Sequence, residues 1–201
     1  WTAAEITASA EGVFDVFVED IDGDGDMDIV SVSSADGTVA WYENDGNADP
    51  TWTAADIGSE SNAVWHAFVA DLDGDGDMDI VTTPANEGNL IWYENDGNVD
   101  PSWTVHYIPT DATHLQDLFV GDIDGDGDMD IAFSGRDNEA TGHPADLDED
   151  GIIDLHNWLE NSGNPDPTWT QFNVTAFDCC LGWIVDVIIV DMDSDSAMDI
   201  A

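Results

Sequence analysis

The sequence almost lacks positive charge. A single basic residue, Arg136, stands against 46 aspartates and glutamates, which leaves a formal net charge of −45 over 201 residues. Proteins bind phosphate backbones and anionic membranes mainly through Lys and Arg. A chain this acidic repels both, so we expect neither nucleic acid nor membrane among its partners. Such a surface suits a saline or calcium-rich medium that screens it, which favours an extracellular or cell-surface location.

Long apolar stretches and helical patterns are also missing. No run approaches the roughly 20 apolar residues of a transmembrane helix, so we expect no membrane insertion. The chain begins with Trp1 and has no signal-peptide pattern, which predicts a processed chain or a piece of a longer one. The absence of sustained helical periodicity predicts very little helix. With 42% hydrophobic residues and nine tryptophans, the chain is nevertheless expected to fold.

Cysteine and recognisable catalytic patterns are scarce. Cys179 and Cys180 are adjacent, and they could form a vicinal disulfide, pair with another chain or remain buried thiols. Two cysteines and five scattered histidines do not form a zinc-binding pattern. No histidine lies in a Ser/His/Asp or metalloprotease spacing, and carboxylates are too abundant for a glycosidase pair to be recognised. We therefore predict no catalytic residues and no enzymatic activity.

Aspartate, in contrast, recurs at fixed spacing. The segment Asp-Ile-Asp-Gly-Asp-Gly-Asp-Met-Asp at residues 20–28 returns almost unchanged at 71–79 and 122–130. Carboxylates at loop positions 1, 3, 5 and 9, with the main-chain carbonyl of position 7, are the hard oxygen ligands that Ca²⁺ prefers. Gly25, at position 6 of the first loop, supplies the sharp turn between them, because glycine adopts positive φ without a steric cost.

Two further copies of the loop are less regular. Residues 146–154 keep the pattern but lie outside the period, as an insertion would. Residues 191–199 have Ser196 at the turn position, where positive φ costs a non-glycine residue about 1 kcal/mol or more. We therefore predict up to five Ca²⁺ ions, with the weakest binding at the last loop. The predicted ligands, position 7 acting through its carbonyl, are Asp20, Asp22, Asp24, Asp26 and Asp28; Asp71, Asp73, Asp75, Asp77 and Asp79; Asp122, Asp124, Asp126, Asp128 and Asp130; Asp146, Asp148, Asp150, Ile152 and Asp154; and Asp191, Asp193, Asp195, Ala197 and Asp199.

An EF-hand is the competing interpretation of these loops. Its position 12 is a bidentate glutamate. That place holds Ser31, Thr82, Phe133 and Asn157 in the four loops that extend far enough. A β-type run follows each periodic loop where an EF-hand needs a helix, so we predict that the loops connect strands.

The loops belong to a repeat of 51 residues. Trp-Thr pairs at Trp1, Trp52 and Trp103 each lie 19 residues before the next loop, and Trp169 lies 22 before the last. Each unit reads as four short strands, with the acidic loop joining the first two and an Asn-Asp-Gly turn joining the last two. In the second unit the predicted strands are 64–70, 79–83, 89–94 and 102–108. The predicted units are 1–51, 52–102, 103–168 with an insertion at 136–154, and a truncated 169–201.

The loops, the flanking strands and the Trp-Tyr-Glu-Asn-Asp-Gly-Asn segments at 41–47 and 92–98 resemble FG-GAP/VCBS repeats. These repeats form the β-propeller blades of integrin α-chains and of many bacterial extracellular proteins. The resemblance covers nearly the whole chain and implies an all-β fold of four-stranded antiparallel blades, open or partial within this segment. It also implies Ca²⁺ in the loop between the first two strands of each blade. It fixes no activity, because such propellers serve as adhesion heads, carbohydrate-binding or lyase scaffolds, and spacers.

Three functional hypotheses follow. The first is a non-enzymatic, calcium-binding extracellular scaffold or adhesion module. The second is a subunit of a cell-surface fibre, because the first predicted strand (residues 1–6) and the truncated last unit leave open edges for other copies or further repeats. The third is the accessory propeller of a polysaccharide-active enzyme. Trp65 and Trp183, which lie outside the repeat register, are the candidates for stacking on a glycan, and Asn173 begins a glycosylation sequon.

Overall fold

The computed structural model describes residues 6, 11–59, 63–85, 88–112, 114–137, 153–173, 189–190 and 199–200. Three four-stranded sheets and one two-stranded sheet account for the strands of this part of the chain. Sheet 1 contains β1 (Val13–Glu19), β2 (Asp28–Ser33), β3 (Thr38–Asn44) and β4 (Trp52–Ser59). Sheet 2 contains β5 (Val64–Ala70), β6 (Asp79–Pro84), β7 (Asn89–Asn95) and β8 (Trp103–Pro109). Sheet 3 contains β9 (His114–Gly121), β10 (Asp130–Asp137), β11 (Ile153–Asn161) and β12 (Trp169–Asn173).

Within each sheet, strands that follow one another in sequence are antiparallel neighbours. This is the predicted all-β arrangement of repeated four-stranded units, and the strands predicted for the second unit differ from β5 to β8 by at most one residue at either end. No helix occurs among the described residues, and none of them forms a helix able to cross a membrane. The short strands β13 (Ile189–Val190) and β14 (Asp199–Ile200) pair antiparallel, as predicted for the first two strands of a fourth unit.

The two larger hydrophobic clusters of the described residues lie between consecutive sheets, and a small third cluster lies on sheet 3 alone. Successive strand residues point to opposite faces, and both faces of β6 are covered. Ile80 therefore packs with Trp41 between sheets 1 and 2, whereas the next residue, Val81, packs with Phe133 between sheets 2 and 3. Each aliphatic side chain buried in this way contributes about 1.5–3 kcal/mol. The repeats thus stabilise one another through their shared faces.

The first strands of the three sheets lie side by side. Phe17, Phe68 and Phe119 are spaced 51 residues apart, and their rings form a ladder with successive centroids 5.0 Å apart. Residues that are 51 positions apart in the sequence therefore lie at the same level along neighbouring strands. We call β1, β5 and β9 the inner strands. Side chains that are one repeat apart on these inner strands are neighbours.

Several predictions concern residues outside the described ranges. These are the strand at residues 1–6, of which only Ile6 is described, the loop at 146–154, the interior of the loop at 191–199, Cys179, Cys180 and Trp183.

Candidate metal centres

Three acidic loops connect the first two strands of the three sheets, as predicted. We call them acidic loop 1 (residues 20–28), acidic loop 2 (71–79) and acidic loop 3 (122–130). In each loop the carboxylates of positions 1, 3 and 5 converge, with one oxygen from each lying within 4.8 Å of the others. The converging residues are Asp20, Asp22 and Asp24; Asp71, Asp73 and Asp75; and Asp122, Asp124 and Asp126.

Two glycines shape each acidic loop. Gly25 has φ 99°, as the sequence predicts, and its N–H donates to Asp20 Oδ2 at 3.0 Å. The equivalent glycines of loops 2 and 3 have φ 102° and donate in the same way. Gly23, at position 4, also has positive φ, at 72°. Glycine recurs at position 4 of all three loops, and this recurrence is the sequence signal for the second turn, which was not predicted.

The first loop contains carboxylate oxygens that are buried without a hydrogen-bond donor. Asp20 Oδ1 and Asp22 Oδ2 are buried, and neither has a hydrogen-bond partner. Burial, together with the charges of Asp24, Asp28 and Asp20, raises the pKa of Asp22. Burial and neighbouring negative charges also raise the pKa of Asp73 in loop 2. A buried acceptor without a donor is costly, and a hard cation would satisfy it. The residues of the loop therefore fit Ca²⁺.

The position-9 carboxylate anchors each loop to its sheet. Asp28 is almost fully buried; its Oδ2 accepts hydrogen bonds from Ile21 N (3.3 Å) and Trp41 Nε1 (3.1 Å), and its Oδ1 accepts one from Asn44 N (2.8 Å). Asp79 accepts the equivalent backbone bonds from Leu72 N (3.1 Å) and Asn95 N (2.8 Å), and its burial, opposed by those N–H donors, raises its pKa to about 7. That position 9 also ligates an ion directly stays a prediction.

The turn between the last two strands of each sheet supports the same loop. Asn44, Asn95 and Asn161 begin these turns, and the side-chain oxygen of each accepts a hydrogen bond from the glycine N–H two residues later, at 3.0–3.1 Å. That glycine has positive φ and lies so close to the position-7 aspartate of the loop that a Cβ would displace the aspartate side chain. The recurring Asn-x-Gly was predicted from the sequence only as a hairpin turn. It therefore also packs against the acidic loop and supports it.

A second group of polar side chains lies at the opposite end of the inner strands. His66 Nδ1 lies 3.4 Å from Asp15 Oδ2 and 3.4 Å from Asp117 Oδ1, and the three residues are one repeat apart. Burial alone would raise the pKa of Asp15, but hydrogen bonds from His66 and from the Ala67 and Val16 amides lower it. The pairing of each first strand with the second strand of its sheet shifts register near these residues, and this irregularity changes the direction of the side chains. The 51-residue period could have revealed this group, because it aligns the three positions.

The aromatic candidate Trp65 lies beside this group. It is half-buried and packs edge-on against Phe14, with ring centroids 4.9 Å apart. Trp41 and Trp92, which recur at the repeat period, are buried in the cores between sheets. His106 stacks on Trp92 and contacts Glu94 at 2.6 Å, which is a packing and surface role.

The chain is similar to a known repeat family. The FG-GAP-like repeat matches residues 20–82 and again residues 80–133, which together span more than half of the chain. Each matched segment begins at or next to an acidic loop and extends into the second strand of the following sheet. No curated protein and no solved structure is significantly similar to the chain.

Proposed function

The chain belongs to the FG-GAP-like repeat family, and from this membership we propose that it is a calcium-stabilised, non-enzymatic scaffold or adhesion module. Its three sheets are repeat units of a β-propeller-like module. Proteins of this family serve mainly as scaffolds, and no catalytic pattern was found in the sequence. The formal charge of −45 favours an extracellular setting, where calcium and salt are abundant.

The observation that carries the calcium proposal is the convergence of three carboxylates in each acidic loop, with two buried oxygens of loop 1 lacking any donor. Residues at positions 1, 3 and 5 would hold the ion through side-chain oxygens, and position 7 through its carbonyl. The bound ion would neutralise the cluster and tie together the ends of the first two strands. The position-9 carboxylate and the Asn-x-Gly turn orient the loop from behind.

Calorimetric titration tests this proposal directly. Chain freed of divalent ions by a chelator should bind at least three Ca²⁺ ions, and Mg²⁺ should compete poorly because it resists dehydration. Asp22→Asn, Asp73→Asn and Asp124→Asn should each remove about one ion from the stoichiometry. Binding of fewer than one ion per chain would refute the proposal.

A second candidate function is assembly with further blades, and the open face of sheet 1 favours it. Val16 and Val18 are 57% and 54% exposed, whereas their repeat equivalents Ala67 and Val69 are 7% and 5% exposed because sheet 1 covers them. A blade from another copy, or from further repeats, would cover sheet 1 in the same way, and a series of copies need not close into a ring.

Sedimentation of the chain in Ca²⁺ tests this second candidate. The wild type should associate in a concentration-dependent way, and Val16→Asp should reduce the association because it places a charge on the open face. Val99→Asp is a matched control, since Val99 is 72% exposed but lies in a turn away from that face. A monomer at all concentrations would contradict assembly between copies.

A further inference from the structure

One asparagine at each junction between sheets touches two acidic loops at once. Asn95, the last residue of β7, donates one hydrogen bond from Nδ2 to Met78 O in loop 2 and another to Ile21 O in loop 1, both at 3.1 Å. Asn161, one repeat later, donates to Met129 O in loop 3 at 3.1 Å and to Leu72 O in loop 2 at 2.7 Å. The same two-loop contact therefore occurs at both junctions.

These amide groups are fully used. A side-chain amide has two N–H donors, and each carbonyl takes one of them. The oxygen of the same amide accepts the glycine N–H of the turn. Asn95 and Asn161 are only 2% and 3% exposed, so water cannot replace a lost partner. Each bond therefore holds its carbonyl in one place.

The carbonyl that accepts the bond in the preceding sheet belongs to position 2 of an acidic loop, between two predicted ion ligands. The peptide group that contains Ile21 O joins Ile21 to Asp22, between the ligands at positions 1 and 3. Ile21 N donates to Asp28, so this residue is fixed from its own sheet on one side and from the next sheet on the other. Asn95 thereby sets the backbone from which Asp20 and Asp22 project.

We infer that Asn95 and Asn161 are positioning residues that couple the ion occupancy of neighbouring acidic loops. Asn95 also binds loop 2 beside Asp79, through Met78 O and through its own N–H. An ion that orders loop 2 therefore orders Asn95, and an ordered Asn95 prepares loop 1. Because such coupling is reciprocal, an ion in loop 1 must favour binding in loop 2 by the same factor. This inference rests on the proposed calcium function and adds cooperativity to it.

Asn44 provides a matched control within the chain. Its amide makes the equivalent bonds inside sheet 1, to Met27 O at 3.0 Å and from Gly46 N at 3.1 Å. Within the described residues its side chain makes no hydrogen bond to a loop of another sheet. Asn44→Ala therefore removes the own-sheet contacts, whereas Asn95→Ala removes those contacts together with the bond between sheets.

The experiment is a Ca²⁺ titration of the full chain labelled with ¹⁵N-glycine. Gly25, Gly76 and Gly127 each donate to the first aspartate of their own loop, so their amide resonances report the three loops separately. Asn95→Ala should raise the apparent Kd about tenfold at Gly25 and at Gly76, the factor expected for loss of a buried hydrogen bond, and should leave the Kd at Gly127 much less affected. Asn44→Ala should raise the Kd at Gly25, with Gly76 much less affected.

Each outcome has a distinct meaning. A Kd that rises at Gly76 but not at Gly25 in Asn95→Ala overturns the coupling. If Asn95→Ala instead unfolds the chain, the chemical-shift dispersion of all the amide resonances will decrease. In that case Asn161→Ala repeats the test, with Gly76 and Gly127 as the reporting residues. If no glycine responds to Ca²⁺ in the wild type, the proposed calcium function itself fails, and this result differs from both.

Discussion

The two ends of the inner strands differ in how similar their residues are from one repeat to the next. At the end that leads into the acidic loops, the three sheets carry the same residues at almost every position, as in Asp20, Asp71 and Asp122. At the opposite end, equivalent positions differ: Phe14 corresponds to Trp65 and then to Gln116, and the aspartates at 15 and 117 flank a histidine at 66. Between them lies the uniform phenylalanine ladder.

The difference reflects what each end must satisfy. At the loop end, each sheet must bring three carboxylates together and pack the position-7 aspartate against the turn glycine. A loop carbonyl must also accept a hydrogen bond from the next sheet, and one set of residues meets all of these requirements. At the opposite end, side chains need only fit their immediate neighbours. The loop end therefore supports the fold and the proposed ions, and the variable end is where a repeat can differ without loss of the fold.

The largest expected effect is removal of the ions. At an effective dielectric near 20, each close pair of like charges in an empty loop costs up to about 4 kcal/mol, and several such pairs exceed the 5–15 kcal/mol stability of a typical domain. We expect the melting temperature with EDTA to lie far below that in millimolar Ca²⁺. Equal midpoints would mean that the loop end is not organised by ions.

A smaller effect is expected from the turn glycine. Gly76→Ala forces an L side chain to φ 102°, a strain of about 1–3 kcal/mol, and should weaken Ca²⁺ binding at loop 2. Gly88→Ala is the matched change at the opposite end, where φ is not positive and the new Cβ would lie 3.2 Å from Ala112 O. Calorimetric titration should show weaker binding for the first variant only. Equal binding by both would remove the distinction between the ends.

The last loop offers the reverse change. Ser196 occupies the position of Gly25 and Gly76, so Ser196→Gly should remove about 1 kcal/mol of strain and tighten binding roughly fivefold. Peptides of residues 191–199 with and without the substitution, titrated beside the 71–79 peptide, give the comparison. If the three affinities agree, the turn glycine does not set the rank of the sites.

Local features could be predicted from the sequence, whereas contacts between sheets could not. The strands of sheet 2 and the turn at Gly25 follow from alternation, turn residues and the need for positive φ, all of which act over a few residues. The bond from Asn95 to Ile21 joins residues 74 apart and depends on how two sheets stack. The His66 contacts likewise require the register of three inner strands, and the repeat period was the one available signal for it.

The smallest expected effect lies at the variable end, in the pair formed by Asp15 and His66. Both side chains are about one-third exposed or less, and ion pairs of this kind are worth about 0.2–1 kcal/mol. A double-mutant cycle of Asp15→Asn and His66→Gln, measured by urea unfolding in excess Ca²⁺ at pH 5.5, should give a coupling energy in that range. Asp117→Asn with His66→Gln is the parallel cycle, since Asp117 faces the histidine from β9.

The acid dependence of this coupling follows from the lowered pKa of Asp15. A carboxyl whose pKa is lower in the folded chain than its ordinary 3.8 stabilises the fold above that value, and this contribution is lost as the pH falls through the folded pKa. The coupling between Asp15 and His66 should therefore persist from pH 5.5 down to pH 3.8 and be lost only at lower pH, as the pH falls through the folded pKa of Asp15. Because neither residue touches an acidic loop, the Ca²⁺ affinities of both single variants should match the wild type. A changed affinity would show that the two ends of the inner strands are energetically connected.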